Sequence, residues 1–117
     1  MANNKKLGTD FERNVVEQLS KMGYWVHFLT PNEAGAQPFD IIAVRDGTAY
    51  AFECKTLSDK RNVFSIDRLE ENQIMAFEHW LRCGNTMPYI VIGHRKRIIY
   101  VPYIDLKKEE KIHVDMY

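Results

Sequence analysis

The stretch Phe39 to Lys55 constrains this chain more than any other. Two apolar runs, Ile41-Ile42-Ala43-Val44 and Ala49-Tyr50-Ala51-Phe52, flank Asp46-Gly47, the strongest short signal for a two-residue hairpin turn. Such a turn fixes the register. Arg45 faces Thr48, Val44 faces Ala49, and the count carried outward sets Asp40 opposite Glu53. Directly opposed residues share a sheet face with Cβ atoms about 4.5–5.5 Å apart. Lys55, two residues beyond Glu53, points to that same face. Two like charges facing each other destabilise a sheet. A cation between them relieves this, and Mg²⁺ is held by one or two carboxylates with water and phosphate completing its shell.

A solvated hairpin face with a Glu53–Lys55 pair is the plain alternative. Against it, Ile42 and Ala51 share the face of Asp40 and Glu53, while Phe39, Ile41, Ala43, Tyr50, Phe52 and Cys54 make the other face apolar too. A hairpin apolar on both faces yet carrying two carboxylates and a lysine at one end is better explained as a site.

The rest of the chain supplies the frame. A length of 117 residues bounds it to one domain with a real core. Residues 1–6 read as a polar tail. A helix over 9–22 places Phe11, Val15, Leu19 and Met22 at helical spacing, with Thr9-x-x-Glu12 as a capping box and Gly23 as its stop. Residues 24–29 read as a strand and 30–38 as a loop with two prolines and a glycine. After the hairpin (39–45 and 48–56) come a polar connection at 57–62 and a short strand at 63–66. A helix over 67–83 opens on Asp67-x-x-Glu70, and Gly84-Asn85 stops it. Residues 88–93 form an interior strand and 97–103 a further strand. The segment from Asp105 is charged, with a tail over about 107–117. The order α-β-β-β-α-β-β predicts a mixed sheet with helices packed on it.

At about 100° per residue, Glu12 falls inside the arc spanned by Phe11, Met22, Val15, Leu19 and Val16. A carboxylate there is paired, hydrogen-bonded or metal-linked, unless it serves only as the Thr9 capping partner. Gln73 lies on the apolar face of the second helix with Leu69, Ala76, Phe77, Trp80 and Leu81. It needs hydrogen-bond partners there, either a strand end or a group near metal or phosphate. Lys60, Arg61, Arg68, Arg95, Lys96 and Arg97 are either solvated loop residues or phosphate contacts.

The formal net charge is zero, which disfavours a generic nucleic-acid coat but not a DNA enzyme whose acidic site offsets basic loops. No secretory signal is read, and no run approaches the roughly 20 apolar residues of a membrane span. Cys54 and Cys83 have no disulfide or zinc spacing, and free buried thiols suit a reducing cytoplasm.

The pattern Glu12 … Phe39-Asp40 … Glu53-Cys54-Lys55 resembles the PD-(D/E)xK nuclease superfamily. Lys55-Thr56, the Phe64-x-Ile66 segment before a helix carrying Gln73, Gly84, and the strands Tyr89–Ile92 and Ile98–Pro102 are similar in order to the bacterial RecU-type Holliday junction resolvases. The compact size and the Gly8-Thr9-Asp10-Phe11-Glu12 opening are similar to the archaeal resolvases. Phe39 separates Pro38 from Asp40, and no insertion like the RecU stalk is present.

The resemblance implies a restriction-endonuclease-like α/β fold and a metal-dependent DNA endonuclease acting on four-way junctions as a homodimer. By it, Asp40, Glu53 and the Cys54 carbonyl bind Mg²⁺ (Mn²⁺ as substitute), Glu12 completes the metal shell, Lys55 is the catalytic lysine, and Gln73 matches a helix glutamine of these nucleases. The short chain would suit a phage version. A nuclease without junction preference, and a non-catalytic DNA- or protein-binding module on the same fold, are the alternatives.

Overall fold

The computed structural model describes the backbone of residues 4–29 and 37–117, with side chains from residue 10. The expected loop over 30–38 falls outside the described residues for 30–36.

Helix α1 runs Asn4–Lys21, so it begins five residues before the expected start and takes in part of the expected tail. Leu7, four residues before Phe11, continues the helical spacing upstream. Thr9 therefore lies inside the helix and is not its cap, which removes the capping explanation of Glu12. Val15 and Leu19 are buried as the periodicity requires, whereas Met22 is 48% exposed because the helix has already ended. Gly23 (φ +92°) makes the turn into β1, Trp25–Phe28.

Strands β2 (Ile41–Arg45) and β3 (Thr48–Thr56) form the hairpin in the expected register, from Arg45↔Thr48 to Ile41↔Phe52. Asp46 and Gly47 both take positive φ, 53° and 75°, as this turn demands. β5 (Tyr89–His94) pairs with β3 in parallel, and β6 (Arg97–Pro102) pairs with β5 antiparallel. The sheet is five-stranded, in the order β1-β2-β3-β5-β6. β5 is interior, as its unbroken Ile90-Val91-Ile92 run predicts, and all three side chains are fully buried.

α1 covers one face, where Val15 and Leu19 pack on Ile41, Ala43, Phe52, Cys54 and Val91. The opposite face is covered by α2 (Glu71–Arg82), α3 (Tyr103–Glu109) and a separate two-stranded sheet of β4 (Val63–Ser65) and β7 (Lys111–His113). Phe64, Phe77, Ile90, Ile92, Tyr103 and Leu106 are the heart of that second core.

Two expectations fail here. The segment 107–117 is no tail: β7 pairs with β4, and Ile112 and Val114 are buried in the core. The second helix does not open at Asp67. The Ser65 hydroxyl accepts from the Asp67 N–H at 3.2 Å and caps a short 3-10 turn over Ile66–Arg68. Leu69 then returns to extended backbone and is buried, so α2 starts only after Glu70. Cys54 is buried as expected, but Cys83 is exposed. Among the described residues no helix is long and apolar enough to cross a membrane.

Candidate active site

Phe39 explains how Asp40 is placed. Its ring is buried against Phe77 and Trp80, with centroids 5.4 Å from each. This anchors the chain immediately before β2, so the residue that separates Pro38 from Asp40 is a core pin. The Leu29 N–H donates to the Asp40 carbonyl at 2.7 Å, extending the β1–β2 ladder by one step. Asp40 itself lies just outside β2. Its carboxylate replaces the missing strand pairing, because Oδ2 accepts from the Cys54 N–H at 2.8 Å. That bond fixes the carboxylate beside Glu53.

Glu53 is only 3% exposed. Its carboxyl is pushed up to about 10, first by burial and then by a hydrogen bond with, and the charge of, Asp40; Lys55 opposes the shift. Glu12 comes from α1 on the other side of the sheet and is raised to about 7, again by burial first and Asp40 second. Burial and the charges of Asp40, Glu12 and Glu53 hold the Cys54 thiol well above its ordinary value. Lys55 forms no ion pair within 4 Å among the described residues, so the Glu53–Lys55 pair of the solvated-face alternative does not form. Three carboxylates thus feel one another with one lysine in opposition. Among the described residues, no three His, Cys, Asp or Glu side chains are drawn close enough to ligate one ion. The donor chemistry still fits a hard divalent cation, since Asp40, Glu53 and Glu12 offer carboxyl oxygens that a bound cation would hold in the charged form.

Gln73 has a structural partner. Its Oε1 accepts from the Glu70 N–H at 2.9 Å, capping α2. The basic residues divide. Arg68 donates from Nη2 to the Thr56 carbonyl at 2.9 Å and stacks over Phe64 at 5.2 Å. Arg95 donates from Nε and Nη2 to the Asp59 carbonyl, and Arg97 reaches the Tyr117 carbonyl at 3.3 Å and Asp115 at 3.8 Å. The side chains of Lys60, Arg61 and Lys96 have no hydrogen bond or ion pair among the described residues, and all three are exposed.

Sequence reasoning missed Gly93 and Asp59. A Cβ on Gly93 would meet the Phe11 ring at 2.7 Å, so the Phe11 side chain of α1 lies directly on β5 there, one residue from Glu12. Only the glycine inside a strand hints at such an approach. Asp59 binds Arg95 across 36 residues of chain, and no local pattern signals that.

Known proteins share the family and the fold of this chain. A family model described as archaeal Holliday junction resolvase (Hjc) matches residues 3–116. The crossover junction endodeoxyribonuclease Hjc of Methanocaldococcus jannaschii is 28% identical over 101 residues, spanning 86% of this chain and 69% of that protein. The solved structure of Hjc from Archaeoglobus fulgidus, a Holliday junction resolvase of an archaeal hyperthermophile, superposes with a TM-score of 0.70. It covers 92% of this chain and 88% of that one at 23% identity, a likeness of fold. These relatives are archaeal and lend no support to a phage origin. The chain belongs to the archaeal Holliday junction resolvase (Hjc) family of the PD-(D/E)xK nucleases.

Proposed function

We propose that this protein resolves four-way DNA junctions by hydrolysing phosphodiester bonds with Mg²⁺, for which Mn²⁺ can substitute. Nucleases of this family are metal-dependent; the choice of ion is our reading. The observation that carries it is the buried Glu53 carboxylate set against Asp40, whose orientation is fixed by the Cys54 N–H. Asp40, Glu53 and the Cys54 carbonyl would hold the ion, and Glu12 would complete its surroundings. A divalent ion so held lowers the pKa of a bound water and offsets charge on the scissile phosphate. Lys55 places an ammonium beside that phosphate and stabilises the charge developing on it. Burial of Glu53 keeps bulk water from screening these charges. Gln73 would support the site through the cap it gives α2.

Lys60, Arg61 and Lys96, exposed and without a side-chain partner among the described residues, would take DNA phosphates, with Arg68 and Arg97 at the margin of the path. A four-way junction has two-fold symmetry and needs two cuts, so a homodimer with one site per subunit is the working form.

The deciding experiment incubates the protein and Mg²⁺ with a labelled panel of four-way junction, flap, duplex and single strand. Preferential paired cutting of the junction is expected. Equal cutting of all branched forms would make it a general structure-specific nuclease, and no metal-dependent cutting of any DNA would make it a binding module.

A further inference from the structure

A cleft of about 700 Å³ among the described residues is not lined by Asp40 or Glu53. It opens where the parallel pair ends, at Thr56 and Gly93, three residues beyond Glu53 on the same strand. Phe11 and Ile98 give it an apolar wall; Asn14, Thr56 and Ser58 add amide and hydroxyl groups; Lys96 stands at its rim. It therefore shares α1 with Glu12 and β3 with Lys55. His94 belongs to the same lining, buried, with neither ring nitrogen hydrogen-bonded among the described residues.

Asp59 ties together two of the loops that line the cleft. Arg95 and Lys96 form the β5–β6 turn with positive φ, 51° and 63°, a conformation that residues bearing a Cβ avoid. Asp59 compensates. Its Oδ1 accepts from the Arg95 N–H at 2.9 Å, and its carbonyl accepts from Arg95 Nε and Nη2 at 3.1 and 3.0 Å. These three bonds tie the loop after β3 to the turn after β5. The Arg95 guanidinium is thereby used on protein, while the neighbouring Lys96 ammonium has no hydrogen bond or ion pair among the described residues.

We propose that this cleft is a second phosphate subsite, in which Lys96 with Asn14, Thr56 and Ser58 takes a DNA backbone phosphate flanking the scissile one, and that Arg95 is a positioning residue that holds the subsite open through Asp59. The proposal rests on the nuclease reading above and deepens it. It reassigns Arg95, which the sequence groups with the phosphate contacts.

The test is binding of a labelled four-way junction in Ca²⁺, followed by single-turnover cleavage in Mg²⁺. Phosphates around the cut are replaced singly by neutral methylphosphonates. In the wild type one flanking replacement should weaken binding about fivefold or more. In Lys96→Ala that replacement should cost nothing further, and the log–log salt slope should fall by about one. Arg95→Ala should keep the wild-type salt slope but lower the cleavage rate severalfold. Asp59→Ala should do the same, while Asp59→Asn, which keeps the Oδ1 acceptor, should restore the rate. A Lys96→Ala variant equally sensitive at every phosphate overturns the subsite, and a salt slope that falls in Arg95→Ala as in Lys96→Ala overturns the positioning role. Either result leaves a junction-cutting enzyme intact. Because binding is read without cleavage, a protein that cuts no DNA loses the nuclease reading while the subsite is still decided by its coupling to one phosphate.

Discussion

Glu53 and Glu12 are carboxyls whose surroundings favour the proton when no cation is present. A group whose folded-state pKa is raised adds stability that is full below its unfolded value and is lost as pH rises through the folded one. For Glu12 that window runs from about 4.5 to about 7, and for Glu53 from about 4.5 to about 10. The metal-free protein should therefore be less stable at pH 8.5 than at pH 5, as read by urea unfolding with EDTA. Glu53→Gln should flatten that dependence, since the amide carries no charge to ionise. The same variant, and Asp40→Asn, should lose cleavage while staying folded. A steep pH dependence that survives Glu53→Gln would place the titrating group elsewhere, and a variant cutting at the wild-type rate would remove that carboxylate from the metal site. Glu12→Gln should lower the rate at least tenfold with little change in stability, because Glu12 sits well inside α1 and caps nothing. Unchanged cleavage in Glu12→Gln would take it off the site.

Among elements, the crossing of α1 over β5 is the one that positions chemistry. Gly93→Ala would set a Cβ at 2.7–2.8 Å from two atoms of the Phe11 ring, nearer than such atoms can approach. The Phe11 ring must move, and α1 with it where the ring cannot turn aside, at a cost of about 1–3 kcal/mol. Glu12 shifts with it, so cleavage should fall more than stability, and adding Phe11→Leu should recover part of both. Chemical denaturation and single-turnover rates on the pair of variants decide this; a loss of stability with full activity would mean that Glu12 does not depend on the crossing. Gly93 shows where sequence reading stops. The hairpin was legible because a two-residue turn leaves one register, and Glu12 was legible because a carboxylate inside an apolar arc has few explanations. The start of α2 was not, since Asp67-x-x-Glu70 and Glu70-x-x-Gln73 are equivalent local signals. Burial of Leu69 in extended backbone chose the second. β7 was hidden for a related reason: three residues make no pattern until β4 pairs with them. The Asp59–Arg95 tie is long-range in both directions and leaves no trace in either segment.

At the scale of the whole molecule, a net charge of zero means that DNA affinity depends on where the charges lie and on how many sites engage together. An ion that binds only the folded state adds stability by mass action, about 2.7 kcal/mol at a hundred times its dissociation constant. Mg²⁺ should thus raise the melting temperature of the wild type, and Asp40→Asn should abolish the rise; equal shifts in both would locate the ion away from Asp40. Junction preference requires more than one such site. Lys60, Arg61 and Lys96 are among the exposed cations of one subunit, and such contacts track a backbone without choosing a branched shape. Two subunits related by a two-fold axis can engage both arms of a symmetric junction at once, and the second contact then forms at a high effective concentration. A duplex of equal length presents only one arm geometry to the same pair. In Ca²⁺, junction should therefore outcompete duplex by tenfold or more, and the advantage should vanish on dilution below the dimer's dissociation constant, followed by sedimentation under the same conditions. Lys60→Ala with Arg61→Ala should weaken junction and duplex alike and reduce the salt slope by about two, one per phosphate contact. Equal affinity for junction and duplex at concentrations where the dimer is intact would show that shape is not read by paired subunits, and the enzyme would then be a general nuclease on this fold.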